Sequence, residues 1–310
     1  MTFIEAIYIF LYAALGFFAF VALLAIVIKL ITFNSLKNKS SKKQIPELVK
    51  KKCFINSDQY ELNWMGEINP KGEKIILCLH DLGYSSKQFD NLELYMLKNK
   101  PLNSVIGFDL RNYGKNKNDD QRNLGAYLSD VKEVVDYISN KYPSQKIIIL
   151  ASGFGTLTIQ SIIKHERVEK IILLAICTQL IYSYTLSMRF KIFLGTIFSS
   201  QKLINLNYNP ADLTDNKSEI KNYQACLEVA GAISVRELFQ FRVLSNKFWK
   251  SIMENQDKIT IIQGDNDKLV NPKIFAKKIL GFNKENFKIL QNTRHLILSE
   301  KQAESIFESI

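Results

Sequence analysis

Histidine is the side chain whose ordinary pKa lets it trade a proton near neutrality. The 310-residue chain has three: His80, His165 and His295. His80 ends an apolar run in ILCLHDLG (76–83), and His295 follows another in NTRHLILSE (292–300). His165 closes a predicted helix in KHERVEK and reads as a surface residue. Two acids, Asp265 and Asp267, follow a third apolar run in QGDNDKLV (263–270). A further stretch, ILASGFGTL (149–157), reads as a strand, a tight Gly-bearing turn and the start of a helix. An acid, an imidazole and a residue displayed on a strand-end turn are the parts of nucleophilic catalysis. The sequence holds no metal-ligand cluster, and no G-x-G-x-x-G opens the first crossover helix. Neither a metal nor a nucleotide cofactor is indicated.

These residues must be positioned by the elements around them. From residue 52 onward, short β-rich runs alternate with helical patterns. KCFIN (52–56) and QYELNW (59–64) flank Ser57-Asp58, which reads as a two-residue hairpin turn. The runs KIILCL (74–79), SVIGFDL (104–110), KIIILA (146–151), KIILLAI (170–176), KITIIQG (258–264) and NFKILQN (286–292) follow. Most are continuously apolar, as in parallel strands covered on both faces. Helices are predicted over 85–99, 123–141, 155–165, 271–281 and 299–309. The alternation predicts a doubly wound α/β sheet with its site at the carboxyl ends of the strands. Residues 178–255 show no strand-like run before KITIIQG and read as a helical cap at about 178–250. Its first part (181–204) is apolar around most of its circumference, suited to packing, to covering an acyl chain or to dipping into a membrane interface.

Five landmarks now stand in order: ILCLHDLG, GFDLRNYGKN (107–116), ILASGFGTL, QGDNDKLV and NTRHLILSE. Together they resemble the α/β-hydrolase superfamily, specifically the monoacylglycerol lipase and lysophospholipase branch. There the same places read H-G-x-G, D-x-R-G-H-G-x-S, G-H-S-M-G-G, G-x-x-D-x-V and a late G-x-x-H. GAISVRELFQ (231–240) is similar to the segment after that branch's cap. The resemblance covers roughly residues 52–310. It implies an α/β-hydrolase fold with a cap insertion and a nucleophile, acid and histidine in that chain order. His295 then takes the place of the general base and Asp267 that of the acid, with Asp265 as the fallback. The N–H groups of Leu82 and Phe154 take the places of the oxyanion donors, and His80 shapes that loop. Asp81 stands where the branch carries glycine.

The nucleophile turn departs from the pattern, which is small-x-nucleophile-x-small because helix and strand approach closely there. Centring on Gly153 gives Ala151 and Gly155 as the small flanks; centring on Ser152 would force Leu150 and Phe154 into them. Gly153 therefore occupies the nucleophile position, and the serine is absent. Ser152 is the substitute hydroxyl, but successive strand side chains point to opposite faces, which aims it away from His295. The alternative attacker is a water activated by His295 in the space the serine would fill. The resemblance thus implies either an impaired, hydrolase-like protein that binds a lipid, an acyl ligand or a protein, or an active carboxylic-ester hydrolase on monoacylglycerol or lysophospholipid.

The amino-terminal part is of another kind. Ala6–Ile28 is a 23-residue stretch without a charge, and about 20 apolar residues cross a bilayer. It is longer than a signal-peptide core and has no Lys or Arg before it, so residues 1–33 are expected to be a retained single-pass anchor. Residues 34–51 read as a basic linker, with seven lysines between 37 and 52. Positive flanks stay cytoplasmic, which places residues 52–310 on the cytoplasmic side, with the linker able to attract anionic lipid. Much of the net charge of +11 belongs to this segment, and with no zinc-finger or RNA-binding motif it does not point to nucleic acid. Cys53, Cys78, Cys177 and Cys226 show no C-x-x-C spacing. Cys78 and Cys177 lie in apolar runs and read as buried reduced thiols, which fits a cytosolic domain.

Overall fold

The computed structural model describes residues 3–36, 44–116, 122–177, 187, 192, 195, 199–205 and 209–310. Helix α1 (Phe3–Ser35) opens the chain, and its stretch Ile4–Thr32 is long and apolar enough to cross a membrane. Most of its described side chains face outward; Thr32 is buried near its end, and Leu36, just beyond it, packs against the core.

The remainder is built on a nine-stranded sheet. Strands β1 (Glu47–Val49), β2 (Cys53–Ile55) and β3 (Glu61–Met65) form an antiparallel edge. β3 joins antiparallel to β5 (Asn103–Phe108). From there β4 (Lys74–Leu79), β6 (Lys146–Ser152), β7 (Val168–Leu174), β10 (Ile259–Gly264) and β11 (Phe287–Leu290) continue in parallel, in the order β5-β4-β6-β7-β10-β11. The period-2 geometry of strands divides the core in two. Ile75, Leu77, Leu79, Ile147, Ile149 and Ala151 face one layer, under α3 (Leu124–Lys141) and α6 (Val235–Glu254). Ile76, Cys78, Ile148 and Leu150 face the other, under α2 (Asp90–Asn99) and α8 (Ala303–Ser309). The continuous apolar runs are thus strands buried on both faces. The order reverses at β4, so the crevice between the carboxyl ends of β4 and β6 is the switch point where such sheets take ligands.

Several sequence expectations are corrected. The β2–β3 connection is no two-residue turn. Ile55 pairs with Glu61, leaving a five-residue loop closed by Asn56 N–H donating to the Tyr60 carbonyl, with Gln59 at φ 71°. β1 lies inside the span expected to be linker, because Leu48 and Val49 pair with Phe54 and Cys53. The helix expected over 155–165 is a single turn, α4 (Gly155–Thr158), followed by a 3₁₀ turn. Thr156 and Thr158 hydroxyls donate to the carbonyls three residues back, tightening the backbone where β-branched residues already disfavour a helix. Within the cap, β8 (Leu203–Asn205) and β9 (Ala232–Ser234) form an unexpected two-stranded ribbon. α5 (Lys217–Ala230) is capped by Asn216, and α6 by a Ser234–Glu237 capping box. Most of the apolar stretch 181–204 lies outside the described residues. α7 (Pro272–Lys278) follows β10.

One buried ion cluster ties the antiparallel edge to the main layer. Arg111 donates to both oxygens of Asp130 at 2.7 and 2.8 Å and to Asp58 at 2.8 Å, with its guanidinium 4.3 Å from the Tyr60 ring centre.

Candidate active site

β6 ends at Ser152, and the chain turns sharply through Gly153 at φ 50° into α4. Two residues on, Gly155 lies so close to the end of β4 that a Cβ there would sit 2.4 Å from the Leu79 carbonyl oxygen. That crowding is the steric reason for a small flank, and it places the displayed position of the turn at Gly153. The left-handed φ is one glycine adopts without strain.

Three segments converge above this turn. His295, in the loop after β11, and Asp267, after β10, meet with Nδ1 and Oδ2 2.8 Å apart. The other imidazole nitrogen, Nε2, lies 2.8 Å from Oδ2 of Asp81, in the loop after β4. The second Asp81 oxygen, Oδ1, accepts from the Leu82 N–H at 2.7 Å and the Phe154 N–H at 2.6 Å. The Asp81 carboxylate therefore occupies both candidate oxyanion donors and the outward face of the histidine at once. It also fills the room at the elbow: a Cβ on Gly153 would lie 2.0 Å from Asp81 Oδ1. The space expected to hold a serine side chain, or a water in its place, holds Asp81.

The electrostatics follow from this enclosure. His295 is fully buried, which by itself would lower its pKa, but the charges of Asp267 and Asp81 outweigh burial and hold it at about 10. With carboxylate oxygens at both ring nitrogens, the imidazole donates at both, so it is an imidazolium at neutral pH. Burial pushes the Asp267 carboxyl up, yet His295, the Leu269 N–H and Gln263 together pull it below the usual carboxylate range. The Cys177 thiol is driven well upward by burial, with the Asp81 and Asp267 charges adding to the effect. It stays a thiol and offers no replacement thiolate.

The loop that carries Asp81 is tied down on several sides. Its N–H donates to Gln88 Oε1 at 2.9 Å, and His80 Nδ1 lies 2.7 Å from its carbonyl oxygen. His80 Nε2 accepts from the Leu110 N–H at 2.8 Å, so its proton sits on Nδ1; burial lowers its pKa and keeps it neutral. Tyr223 on α5 donates its hydroxyl to the Leu82 carbonyl at 2.7 Å, anchoring the loop to the cap. Ser152, the substitute hydroxyl, is buried and accepts from Gln88 Nε2 at 2.9 Å. Asp265, the fallback acid, is exposed and accepts from the Thr293 N–H at 3.3 Å. His165 is half-buried, with Nε2 3.3 Å from Asp136 Oδ1. Among the described residues no group of His, Cys, Asp and Glu could hold a metal ion.

The sequence flagged Asp81 only as a departure in the oxyanion loop. The available signal was a pair of opposite size changes: a side chain gained at 81 and one lost at 153. Gln88 and Tyr223 carried no such signal.

Residues 70–302 match the family described as serine aminopeptidase, S33. The chain belongs to this α/β-hydrolase family. No curated protein matches it in sequence. Among solved structures it is similar to a soluble variant of monoglyceride lipase from Saccharomyces cerevisiae, in complex with a substrate analog. That match has a TM-score of 0.68 and 19% identity, over 88% of this chain and 95% of that one. The monoacylglycerol lipase of Paleococcus ferrophilus is also similar, with a TM-score of 0.64 and 15% identity over 80% and 96% of the two chains. At these identities the likeness is one of fold.

Proposed function

We propose that this is a membrane-anchored, hydrolase-like protein that does not act as a serine hydrolase and instead binds a lipid or acyl ligand, or a protein, through the region beneath its cap. One observation carries the reading: the Asp81 carboxylate lies on both oxyanion donors and on the His295 imidazolium. A substrate carbonyl would find neither donor free and no unprotonated base. Loss of the nucleophile in a triad enzyme already lowers turnover by on the order of 10⁶. The occupied donors remove the remaining electrostatic contribution as well. The rival reading, an ester hydrolase using Ser152 or a bound water, draws no support from this geometry, because Ser152 is engaged by Gln88.

The anchor rests on the length and apolar character of α1. The cytoplasmic placement of the domain rests on the seven lysines that follow it. The lipid or acyl class rests on the two similar structures being lipases of monoacylglycerols.

The test uses the full chain in detergent micelles with medium-chain monoacylglycerol and a chromogenic acyl ester. Hydrolysis is compared for the unaltered protein, Gly153→Ser, Asp81→Gly and the double variant, and binding of the same monoacylglycerol is followed by native mass spectrometry. The unaltered protein and both single variants are expected to be silent, since a serine alone collides with Asp81. The double variant is expected to turn over. Turnover by the unaltered protein that disappears in His295→Ala would overturn the reading.

A further inference from the structure

The centre is more than a site with a missing part. Three donors from three segments meet on one carboxylate: Leu82 N–H, Phe154 N–H and His295 Nε2, at 2.7, 2.6 and 2.8 Å. Two are spent on one oxygen and the third on the other, so a single carboxylate satisfies them all. The complement of charge is equally specific, because charge-assisted bonds of this kind are the stronger class and Asp267 holds the imidazolium from behind.

The donors are also held without help from the ligand. The Leu82 carbonyl is fixed by Tyr223, and the backbone of Asp81 by Gln88 and His80. At the elbow, Gly153 N–H donates to the Leu174 carbonyl at 2.9 Å, and Thr156 N–H returns to the Gly153 carbonyl at 3.2 Å. None of these bonds involves the Asp81 side chain. Removing that side chain would leave the three donors in place, facing a buried space of carboxylate size.

We infer that the remodelled centre is a carboxylate receptor which the chain fills with its own Asp81. The inference rests on the reading above that this centre does no acyl chemistry, and it deepens that reading. Asp81 is covalently tethered beside its donors, so a free carboxylate competes at a large disadvantage in effective concentration. An acyl ligand beneath the cap of the unaltered protein is therefore not held by an acid or ester head at this centre. With Asp81 shortened, the receptor accepts an external monocarboxylate. His295, flanked by the Asp81 and Asp267 carboxylates with the Cys177 thiol nearby, reports occupancy, because one of the two charges that keep it protonated is the ligand itself.

The experiment uses the full chain in detergent micelles, with sodium formate as the probe and sodium chloride at equal ionic strength as the control. Asp81→Ala is expected to show a saturable rise in Tm with formate, roughly 5–10 °C at about a hundredfold excess over Kd, while the unaltered protein shows none. A folded Asp81→Ala that gains no more from formate than the unaltered protein, or that gains as much from chloride, overturns the proposal. Should Asp81→Ala not fold, nitrogen NMR of His295 in the unaltered protein decides. An imidazolium persisting to about pH 10 supports an occupied receptor, and titration near the ordinary histidine value overturns it. Ester turnover is read separately, so turnover by the unaltered protein would defeat the non-catalytic reading while the formate result stands or falls by itself.

Discussion

Two buried triplets in this molecule have the same outline. In one, Arg111 lies between Asp58 and Asp130; in the other, His295 lies between Asp81 and Asp267. Each joins segments distant in the chain, and each places one cation between two acids. The cations differ in what they can release. Arginine keeps its charge at any pH a protein meets and grips carboxylates with a planar fork, which is what a clamp requires. Burial works against the Arg111 charge, and Asp130 with Asp58 more than offsets it. Histidine is the weaker clamp, because its charge depends on its neighbours. The arginine triplet is thus explained entirely by fastening the β2–β3 edge to α3. The histidine triplet combines an acid–imidazole pair with a third group, Asp81, that also takes the two candidate oxyanion donors.

That contrast can be broken experimentally. The largest effect is expected at the clamp. Arg111→Met leaves Asp130 buried without its cation and should lower unfolding stability by about 3–5 kcal/mol, measured by chemical denaturation at neutral pH. The next test separates the two cations by pH. The pKa of His295 is raised in the folded state, so its contribution is fully present below the unfolded value near 6.5 and is lost as pH climbs toward about 10. Stability should fall across that window by at most about 1.4 kcal/mol per pH unit. Asp81→Asn should flatten the slope, whereas the arginine cluster contributes none there. A slope unchanged in Asp81→Asn would mean that Asp81 does not hold the proton on His295.

A smaller effect is expected at Ser152→Ala. It removes the acceptor of a buried Gln88 amide and should cost about 1–3 kcal/mol, with no loss of hydrolysis in the Asp81→Gly/Gly153→Ser background. Loss of that hydrolysis would show that Ser152, and not the introduced serine, makes the attack. Lys51→Ala, which breaks the exposed pair with Glu67, should change stability by less than about 1 kcal/mol and gives the baseline for an ion pair that water already screens.

The site was unevenly legible in the sequence. Gly153 could be placed because the small flanks Ala151 and Gly155 are a pattern local in the chain, although the crowding that requires Gly155 comes from Leu79 and His80 at the end of β4. Asp267 and His295 could be paired as candidates because consecutive parallel strands deliver their carboxyl ends to one edge. The helix after the elbow is shorter than its pattern suggests, because the hydroxyl bonds of Thr156 and Thr158 compete with the helical ladder.

The sequence by itself determined the alternation of buried strands and helices, the small-residue elbow and an amino-terminal stretch long enough to cross a bilayer. These are local properties, written in periodicity, length and side-chain volume. Only the tertiary structure decided that Asp81 turns inward to meet a histidine 214 residues away and two backbone N–H groups at once. No pattern along a chain records such a choice. A loop side chain goes where a void and unpaired donors await it, and the absence of a side chain at Gly153 is half of what makes this void.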